Sequence, residues 1–397
     1  MDNLKKIRKN LYIYLLLTLG FLSAFGPFVT DMYLPALPSL AKEFSCTNSA
    51  VQLSLTMSMF GLALGQVLIG PVSDKYGRRR LLLGSLITYA VATLGCMFSA
   101  DIDLFNIMRL FQGMAGAGGI VLSRSIATDM YSGERLTQFM SMIAAVNGIA
   151  PVAAPIIGGI ILSFAGWKTI FGILLAIGLI LLVMSLRLRE SLSQRNRLQM
   201  SVFSSFTNYA NLIHNRTYVI HFFIYMFSAF VLFTYISASS FILQDIYGLS
   251  SLMFSLCFAV NALAIAFGCA AAGHLAGKKS IKYGAFIMIG AAVLSVVTLN
   301  FVHSVLLTEI TFVILLFAFG LLQPVPTAIA LDSERANAGV ASAALGASGF
   351  MVGGAVAPVV GMGNMLQTTS VLFLIGATSV CISVWFSIKQ TARKRQT

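Results

Sequence analysis

Twelve apolar runs separated by short polar turns set the strongest limit on what this chain can fold into. Each run has roughly the twenty residues or more that a helix needs to cross the hydrocarbon core of a bilayer. The composition agrees, because only 10% of the 397 residues are charged and the mean hydropathy is +0.88. A membrane barrel would show short alternating segments instead. The sequence therefore predicts an all-α membrane protein, with helices at residues 11–42, 49–73, 81–99, 104–128, 136–163, 167–187, 217–243, 250–276, 281–302, 306–331, 337–362 and 367–388.

The positions of the basic residues predict the orientation of these helices. The formal net charge is +13, and nearly all of the 26 Lys and Arg residues fall in alternate loops or at the two ends. Lys and Arg in short loops remain in the cytoplasm, so we expect both termini there. Topology thus accounts for the charge, and nucleic acid is not an expected partner. The apolar segment after the basic start is too long for the core of a signal peptide, and we expect it to be the first spanning helix.

The turn at residues 70–80 combines a carboxylate with four basic residues between the second and third predicted helices. A carboxylate among cations at a helix end suits an ion pair that is made in one conformation and broken in another. Any multi-span protein can carry a basic turn, and that is the alternative. The pattern resembles the signature loop of major facilitator superfamily transporters. We expect a conformational latch formed by Gly70, Asp74, Gly77, Arg78, Arg79 and Asp129.

Asp31 is the only one of the 13 acidic residues that lies well inside a predicted span. A carboxylate in the bilayer must be protonated, paired or bathed by water, which makes it a functional candidate. Arg109 is its expected counterpart, because Asp31 lies about 15 Å and Arg109 about 8 Å from the outer helix ends, within reach of a long side chain. We expect the two to pair until a proton or substrate intervenes. The alternatives are a packing carboxylate beside two prolines and an arginine that extends to the outer surface.

The two halves of the chain repeat at a fixed offset of 203 residues. Five landmarks show this spacing: Gly70 and Gly273, Lys75 and Lys278, Arg79 and Lys282, Asp129 and Asp332, and Ala154-Pro155 with Gly158 and Ala357-Pro358 with Gly361. Such a repeat predicts two pseudo-symmetric six-helix bundles with a substrate path between them. We expect an N-terminal bundle at 1–187, a cytoplasmic linker at 188–216, and a C-terminal bundle with a basic tail at 217–397. Asp31 and Arg109 map to Thr234 and Phe312, so proton chemistry is expected in the first bundle.

The fifth predicted helix carries two prolines and a face of small residues, Pro151, Pro155, Gly158 and Gly159. Prolines and small residues allow a bend and a sliding contact against a neighbouring helix. The segment is similar to the antiporter motif of exporters in the same superfamily. It departs from that motif at Ala154, where the motif has glycine.

The first helix carries the most specific resemblance, in the segment Thr30 to Pro38. This segment is similar to the Bcr/CflA drug-resistance subfamily, which implies that Asp31 is the carboxylate for protons and substrate, and implies a bacterial inner membrane. Polar and aromatic side chains near the path are candidates for substrate binding, although core, lipid or interhelical contact is the alternative for several of them. The candidates are Asp31, Tyr33, Phe28, Gln112, Asn147, Tyr225, Tyr235, Asn261 and Gln323.

These features together predict a proton-coupled exporter of small amphipathic compounds, such as drugs or antibiotics, that works by rocking-bundle alternating access. Three alternatives stay open: an exporter of one metabolite, a proton-coupled nutrient importer, and a membrane receptor or scaffold. No phosphate-binding loop or catalytic constellation is present, so we expect neither an enzyme nor ATP as fuel. The five Cys and four His are scattered, and neither a metal site nor a cofactor is expected. A monomer that uses the proton gradient is the expected state.

Overall fold

The computed structural model describes residues 2–131, 133–194, 207–275, 277–334 and 338–393. Within these ranges the regular secondary structure is entirely helical. Residues 195–206 of the predicted linker lie outside the described residues, and the described part holds one short helix, Thr207–Leu212.

The first half of the chain contributes eight α-helices, which include the first six predicted spans. They are α1 (Asp2–Ser23), α2 (Phe25–Asp31), α3 (Leu37–Glu43), α4 (Asn48–Tyr76), α5 (Arg78–Met97), α6 (Ile102–Met130), α7 (Gly133–Phe164) and α8 (Trp167–Leu186). A short 3-10 turn, Leu34–Ala36, lies between α2 and α3.

The second half contributes eight more α-helices. They are α9 (Thr207–Leu212), α10 (Arg216–Phe241), α11 (Ser251–His274), α12 (Gly277–Val297), α13 (Val305–Leu322), α14 (Pro324–Ser333), α15 (Ala338–Val360) and α16 (Met365–Arg393). Two π-helical turns, Ile242–Ile246 and Thr298–Val302, extend α10 and α12.

Among the described residues, ten helices or helix series are long and apolar enough to cross a membrane. The other two long helices at predicted span positions are α6, which carries the charged Arg109, and α7, of which Ile149–Phe164 is apolar. The predicted all-α membrane fold is confirmed. Many large apolar side chains are exposed, including Phe98 at 78% and Phe286 at 79%. Such exposure suits contact with lipid, where an apolar side chain meets no water.

Two predicted spans are less regular than the sequence indicated. The first was expected to be one helix at 11–42, but it is interrupted after Ser23 and again after Asp31. Pro35 and Pro38 have no backbone N–H to donate, which removes two helical hydrogen bonds where the second interruption lies. The tenth was expected at 306–331, but it divides into α13 and α14 at Pro324 for the same reason.

The chain divides into two compact units by its internal contacts. One unit contains Met1–Leu34 and Met57–Val202, and the other contains Pro35–Thr56 and Phe203–Thr397. The segment Pro35–Thr56, which the sequence placed in the first bundle, is therefore grouped with the second unit. The domain boundaries predicted from the sequence stay a prediction.

Each unit has its own apolar core. In the first, Leu19, Leu22 and Phe25 pack with side chains from α5, α6 and α7, and the Phe25 and Tyr89 rings lie 4.4 Å apart. In the second, the Phe312 ring lies 5.2 Å from the Tyr235 ring. Since aromatic side chains bury large apolar areas, these contacts hold the helices that position the polar residues described next.

Candidate functional site

The break in the first span places a carboxylate inside the first unit. Asp31 is the last residue of α2, and only 6% of it is exposed. Its Oδ1 accepts a hydrogen bond of 2.8 Å from the Thr30 hydroxyl. That hydroxyl also lies 3.0 Å from the Gly26 carbonyl, so its single proton has two acceptors to choose between. The buried carboxylate thus shares the Thr30 hydroxyl, its donor among the described residues, with the Gly26 carbonyl.

Arg109 occupies the centre of a polar network on α6. It is fully buried, which excludes the alternative of a side chain that extends to the surface. Its Nη2 donates to the Val29 carbonyl at 3.0 Å, and its Nη1 donates to the Gln112 side-chain oxygen. The Gln112 amide in turn donates to the Thr93 hydroxyl at 2.8 Å. This network joins α2, α6 and α5, so Arg109 holds the helix that carries Asp31.

The expected direct ion pair between Asp31 and Arg109 is absent from the ion pairs of the described residues, and this expectation is corrected. Arg109 instead bonds a backbone carbonyl two residues before Asp31, while its guanidinium lies 4.1 Å from the centre of the Tyr33 ring. A carbonyl oxygen and an aromatic face both stabilise a buried cation without an acidic partner. The proton-coupling role of the two residues stays a prediction.

Tyr33 is fully buried and packs between Arg109 and the Phe171 ring, whose centre is 5.9 Å away. The Tyr33 ring therefore packs against the Arg109 guanidinium, a contact that the sequence did not indicate. Phe28, the other aromatic candidate on the first span, is half-buried. A substrate contact for either residue stays a prediction.

The antiporter-type helix meets the broken span directly. Gly158 on α7 is so close to the chain after Asp31 that an added Cβ would lie 1.9 Å from the Met32 carbonyl oxygen. Pro155 and Pro151 lie inside α7, about one and two turns before this contact, and Gly159 beside it is buried. Only glycine permits this approach of two backbones. The Asn147 side chain lies outside the described residues.

The predicted latch residues converge on Arg78 at the start of α5. Its guanidinium pairs with Asp74, four residues earlier near the end of α4, and with Asp129 at 3.2 Å. Gly77 has φ of 101°, a conformation that favours glycine and turns the chain sharply into α5. An added Cβ at Gly70 would lie 3.9 Å from the Val121 side chain, an ordinary van der Waals contact. The structure thus brings Asp74, Arg78 and Asp129 together, and the conformational role of the latch stays a prediction.

Glu190 is a member of this cluster that the sequence reasoning missed. Its carboxylate accepts the backbone N–H groups of Arg78 at 2.9 Å and Arg79 at 3.2 Å. These are unpaired donors of the first turn of α5, where a negative charge also complements the helix dipole. Arg79 donates to the Leu186 carbonyl at 2.9 Å and does not pair with Asp74. No sequence spacing signals this cap, because 112 residues separate Arg78 from Glu190.

The candidates of the second unit make contacts between helices. Asn261 on α11 donates to the Tyr235 hydroxyl of α10 at 3.1 Å and to Glu309 of α13 at 2.8 Å. Gln323 donates to the Ser228 hydroxyl at 3.0 Å, and the Tyr225 ring lies 3.5 Å from the position of an added Cβ at Gly349. These bonds favour interhelical contact for Asn261 and Gln323, while substrate binding by them stays a prediction.

The sequence matches one family of known proteins over most of its length. Residues 16–358 match the family model described as Major Facilitator Superfamily. The chain is 37% identical over 362 residues to the uncharacterized MFS-type transporter YdgK of Bacillus subtilis, covering 89% of each chain. It is 30% identical over 387 residues to the bicyclomycin resistance protein homolog of Haemophilus influenzae, covering 95% of this chain and 96% of the relative.

The multidrug resistance protein MdtL of Salmonella paratyphi C is 26% identical over 368 residues, covering 90% of this chain and 91% of the relative. Among solved structures, a D-xylose–proton symporter aligns with a TM-score of 0.71 at 16% identity, covering 93% of this chain and 97% of that one. At this identity the likeness concerns the fold alone.

Proposed function

Because the chain belongs to the major facilitator superfamily, we propose that it is a proton-coupled exporter of small amphipathic compounds. The family membership makes it a multi-pass membrane transporter and not an enzyme. The names of two relatives, a bicyclomycin resistance protein and a multidrug resistance protein, support drugs or antibiotics as the substrate class. The basic loops support a bacterial inner membrane with both termini in the cytoplasm.

The observation that carries this proposal is a buried carboxylate at a helix break, braced by a buried arginine that does not neutralise it. Among the described residues, the Thr30 hydroxyl is the donor to Asp31, and Arg109 is held by Val29 and Gln112. A carboxylate in this state is stabilised either by a proton or by a polar or cationic substrate. The two ligands therefore exclude each other at one group, which is the minimum requirement for antiport.

The contact between α7 and the broken span supports a path by which the exchange of proton and substrate at Asp31 moves the helices. Proton or substrate binding at Asp31 acts on the turn that follows it, and Gly158 lies against the Met32 carbonyl of that turn. A small movement of the turn must displace α7, because no space separates the two backbones. We infer that this contact transmits the state of Asp31 to a rocking motion of the bundles.

The latch at Arg78 supports two discrete end states. Asp74 is partly exposed, with 46% of its side chain accessible, whereas Asp129 is 16% accessible. An exposed pair is weak and easily broken, whereas a more buried pair persists. We infer that the Asp74 bond opens and closes during the cycle while Asp129 and Glu190 keep α5 in place. One chain carries both units, which supports a monomer as the working form.

Proton release measured on the purified protein against a panel of compounds tests the proposal. Addition of bicyclomycin or another substrate to unbuffered protein should release protons, and Asp31→Asn should abolish the part that comes from Asp31. Release by no compound in a broad panel would contradict antiport. Uptake of protons together with substrate would favour the importer, and a response to one metabolite alone would favour the dedicated exporter.

A further inference from the structure

The second unit contains a buried polar cluster that the proposed function does not use. It consists of Tyr235 on α10, Asn261 on α11 and Glu309 on α13. Asn261 is fully buried and donates from one nitrogen to the Glu309 carboxylate at 2.8 Å and to the Tyr235 hydroxyl at 3.1 Å. Tyr235 is 1% exposed, and Glu309 is half-buried. Three helices thus converge on one acidic group inside a membrane protein.

Two acceptor atoms of the cluster have no donor among the described residues. Glu309 Oε2 and Asn261 Oδ1 are both buried acceptor atoms with no hydrogen-bond partner there. The titratable groups that interact with the Glu309 charge are the Tyr235 hydroxyl and the Cys257 thiol, which are neutral when protonated. Within the part of the chain that the structure describes, no Lys, Arg or His forms an ion pair with Glu309. A carboxylate in such a place needs a positive charge from elsewhere.

A proton supplies what the cluster lacks. When it binds Glu309 Oε2, the carboxylate becomes a carboxylic acid with one O–H donor. That O–H can donate to Asn261 Oδ1 while Asn261 Nδ2 keeps its bond to Glu309 Oε1, as in the cyclic pair that a carboxylic acid forms with a primary amide. The same three side chains therefore have one bonded arrangement for the charged acid and another for the neutral acid.

The acid also has a short route to water. Glu309 is the fifth residue of α13, about 6 Å along the axis from the first residue of the helix. His303, just before α13, is exposed and has a left-handed backbone conformation, with φ of 48°. A proton can therefore arrive from, and return to, the aqueous phase at this end of the helix without crossing the apolar core.

The internal repeat did not indicate the Glu309 site, because the corresponding residue of the first half is not an acid. At the offset of 203, Glu309 corresponds to Asn106, and the arginine position corresponds to Phe312. The second copy has therefore lost the cation and gained an acid one turn away on the same helix. The Phe312 ring lies 5.2 Å from the Tyr235 ring, so an apolar side chain packs beside the phenol of the cluster.

We propose that Glu309, with Asn261 and Tyr235, forms a second proton-binding site in the second unit. The reaction is the reversible transfer of one proton between water and Glu309 Oε2, with no other bond made or broken. The site does not depend on Asp31, and it replaces the expectation that proton handling is confined to the first bundle.

Infrared spectroscopy of the purified full-length protein during a pH titration tests this site. A protonated carboxylic acid has a carbonyl stretch that the carboxylate lacks, so each buried acid is seen as a band that grows as the pH falls. Glu309→Gln should remove one such band completely and leave the band that depends on Asp31. Asp103→Asn, which removes an exposed acid near the same position of α6, should remove neither.

Two outcomes would overturn the proposal. A wild-type spectrum without a Glu309-dependent band at any pH would mean that the acid takes no proton. A Glu309 band with the same intensity at every pH would mean that the group is a permanently neutral part of the core. Asn261→Leu provides a second test if Glu309→Gln fails to fold, because it should change the frequency of the Glu309 band and leave the Asp31 band unchanged. Loss of the Asp31 band alone would contradict the proposed function and not this inference.

Discussion

Replacement of Asp31 by Asn should separate folding from proton coupling. Asn has nearly the same volume, and its side-chain oxygen can still accept the 2.8 Å bond from the Thr30 hydroxyl. Thr30 also has the Gly26 carbonyl as a second acceptor at 3.0 Å. Since at most one neutral hydrogen bond is altered, we expect the free energy of unfolding to change by less than about 1 kcal/mol.

The effect on transport should be much larger. Asn cannot take up a proton, so the variant loses the driving force of each proton that Asp31 exchanges. A difference of one pH unit is worth about 1.4 kcal/mol per proton, which corresponds to a roughly tenfold substrate ratio across the membrane. We therefore expect Asp31→Asn to lower the steady-state concentration ratio by about tenfold at a gradient of about one pH unit.

The assay is uphill transport into everted vesicles with an imposed pH gradient and a fluorescent substrate. Asp103→Asn is the matched control, because the same substitution there removes an exposed acid at the start of α6. Melting of the purified variants in detergent verifies that both are folded. An Asp31→Asn variant that sustains the wild-type ratio would remove this carboxylate from the coupling mechanism and refute the reasoning above.

Three further predictions concern the latch, the backbone contact and the second core. Asp74→Asn should change the populations of the end states by at most about fivefold, because its partly exposed ion pair is worth no more than about 1 kcal/mol; unchanged distances between spin labels at the helix ends beside the latch would count against the latch. Gly158→Ala should destabilise the protein by about 1–3 kcal/mol, since its Cβ would meet a carbonyl oxygen of the first span, whereas Gly84→Ala, with nothing within 4 Å, should leave the melting temperature nearly unchanged. Phe312→Ala should lower the free energy of unfolding by about 3–5 kcal/mol because the ring is fully buried, and chemical unfolding should show a much smaller loss for Phe286→Ala, which is 79% exposed; equal losses would mean that the aromatic core contributes little.

Several features could be predicted because their causes are local in sequence. A run of apolar residues must form a helix in lipid, since no water is present to bond the backbone, and this determined the fold class. The charged turn at residues 70–80 identified Asp74 and Arg78 because a short turn between two helices keeps residues four apart in sequence close together. Asp31 was found because an acid within an apolar span is rare and costly.

Other features depended on partners that are distant in the chain. Glu190 caps α5 from more than a hundred residues away, and Arg109 binds the Val29 carbonyl instead of the expected acid. Backbone carbonyls and helix ends are present everywhere in a sequence, so no residue pattern marks the one that will be used. The first span was expected to be one helix, and only the structure shows its break and the packing of Gly158 against it.

The sequence by itself determined the elements of this protein: helices that cross a membrane, a duplicated chain, a charged turn and one deeply placed acid. The tertiary structure decided how the polar groups are paired, because hydrogen bonds inside an apolar protein form with whichever donor the helix packing brings within about 3 Å. Glu309 illustrates the difference. Its position in the fifth place of a helix suggested an ordinary terminal acid, and only the packing of α10, α11 and α13 joins it to Asn261 and leaves one of its oxygens without a donor among the described residues.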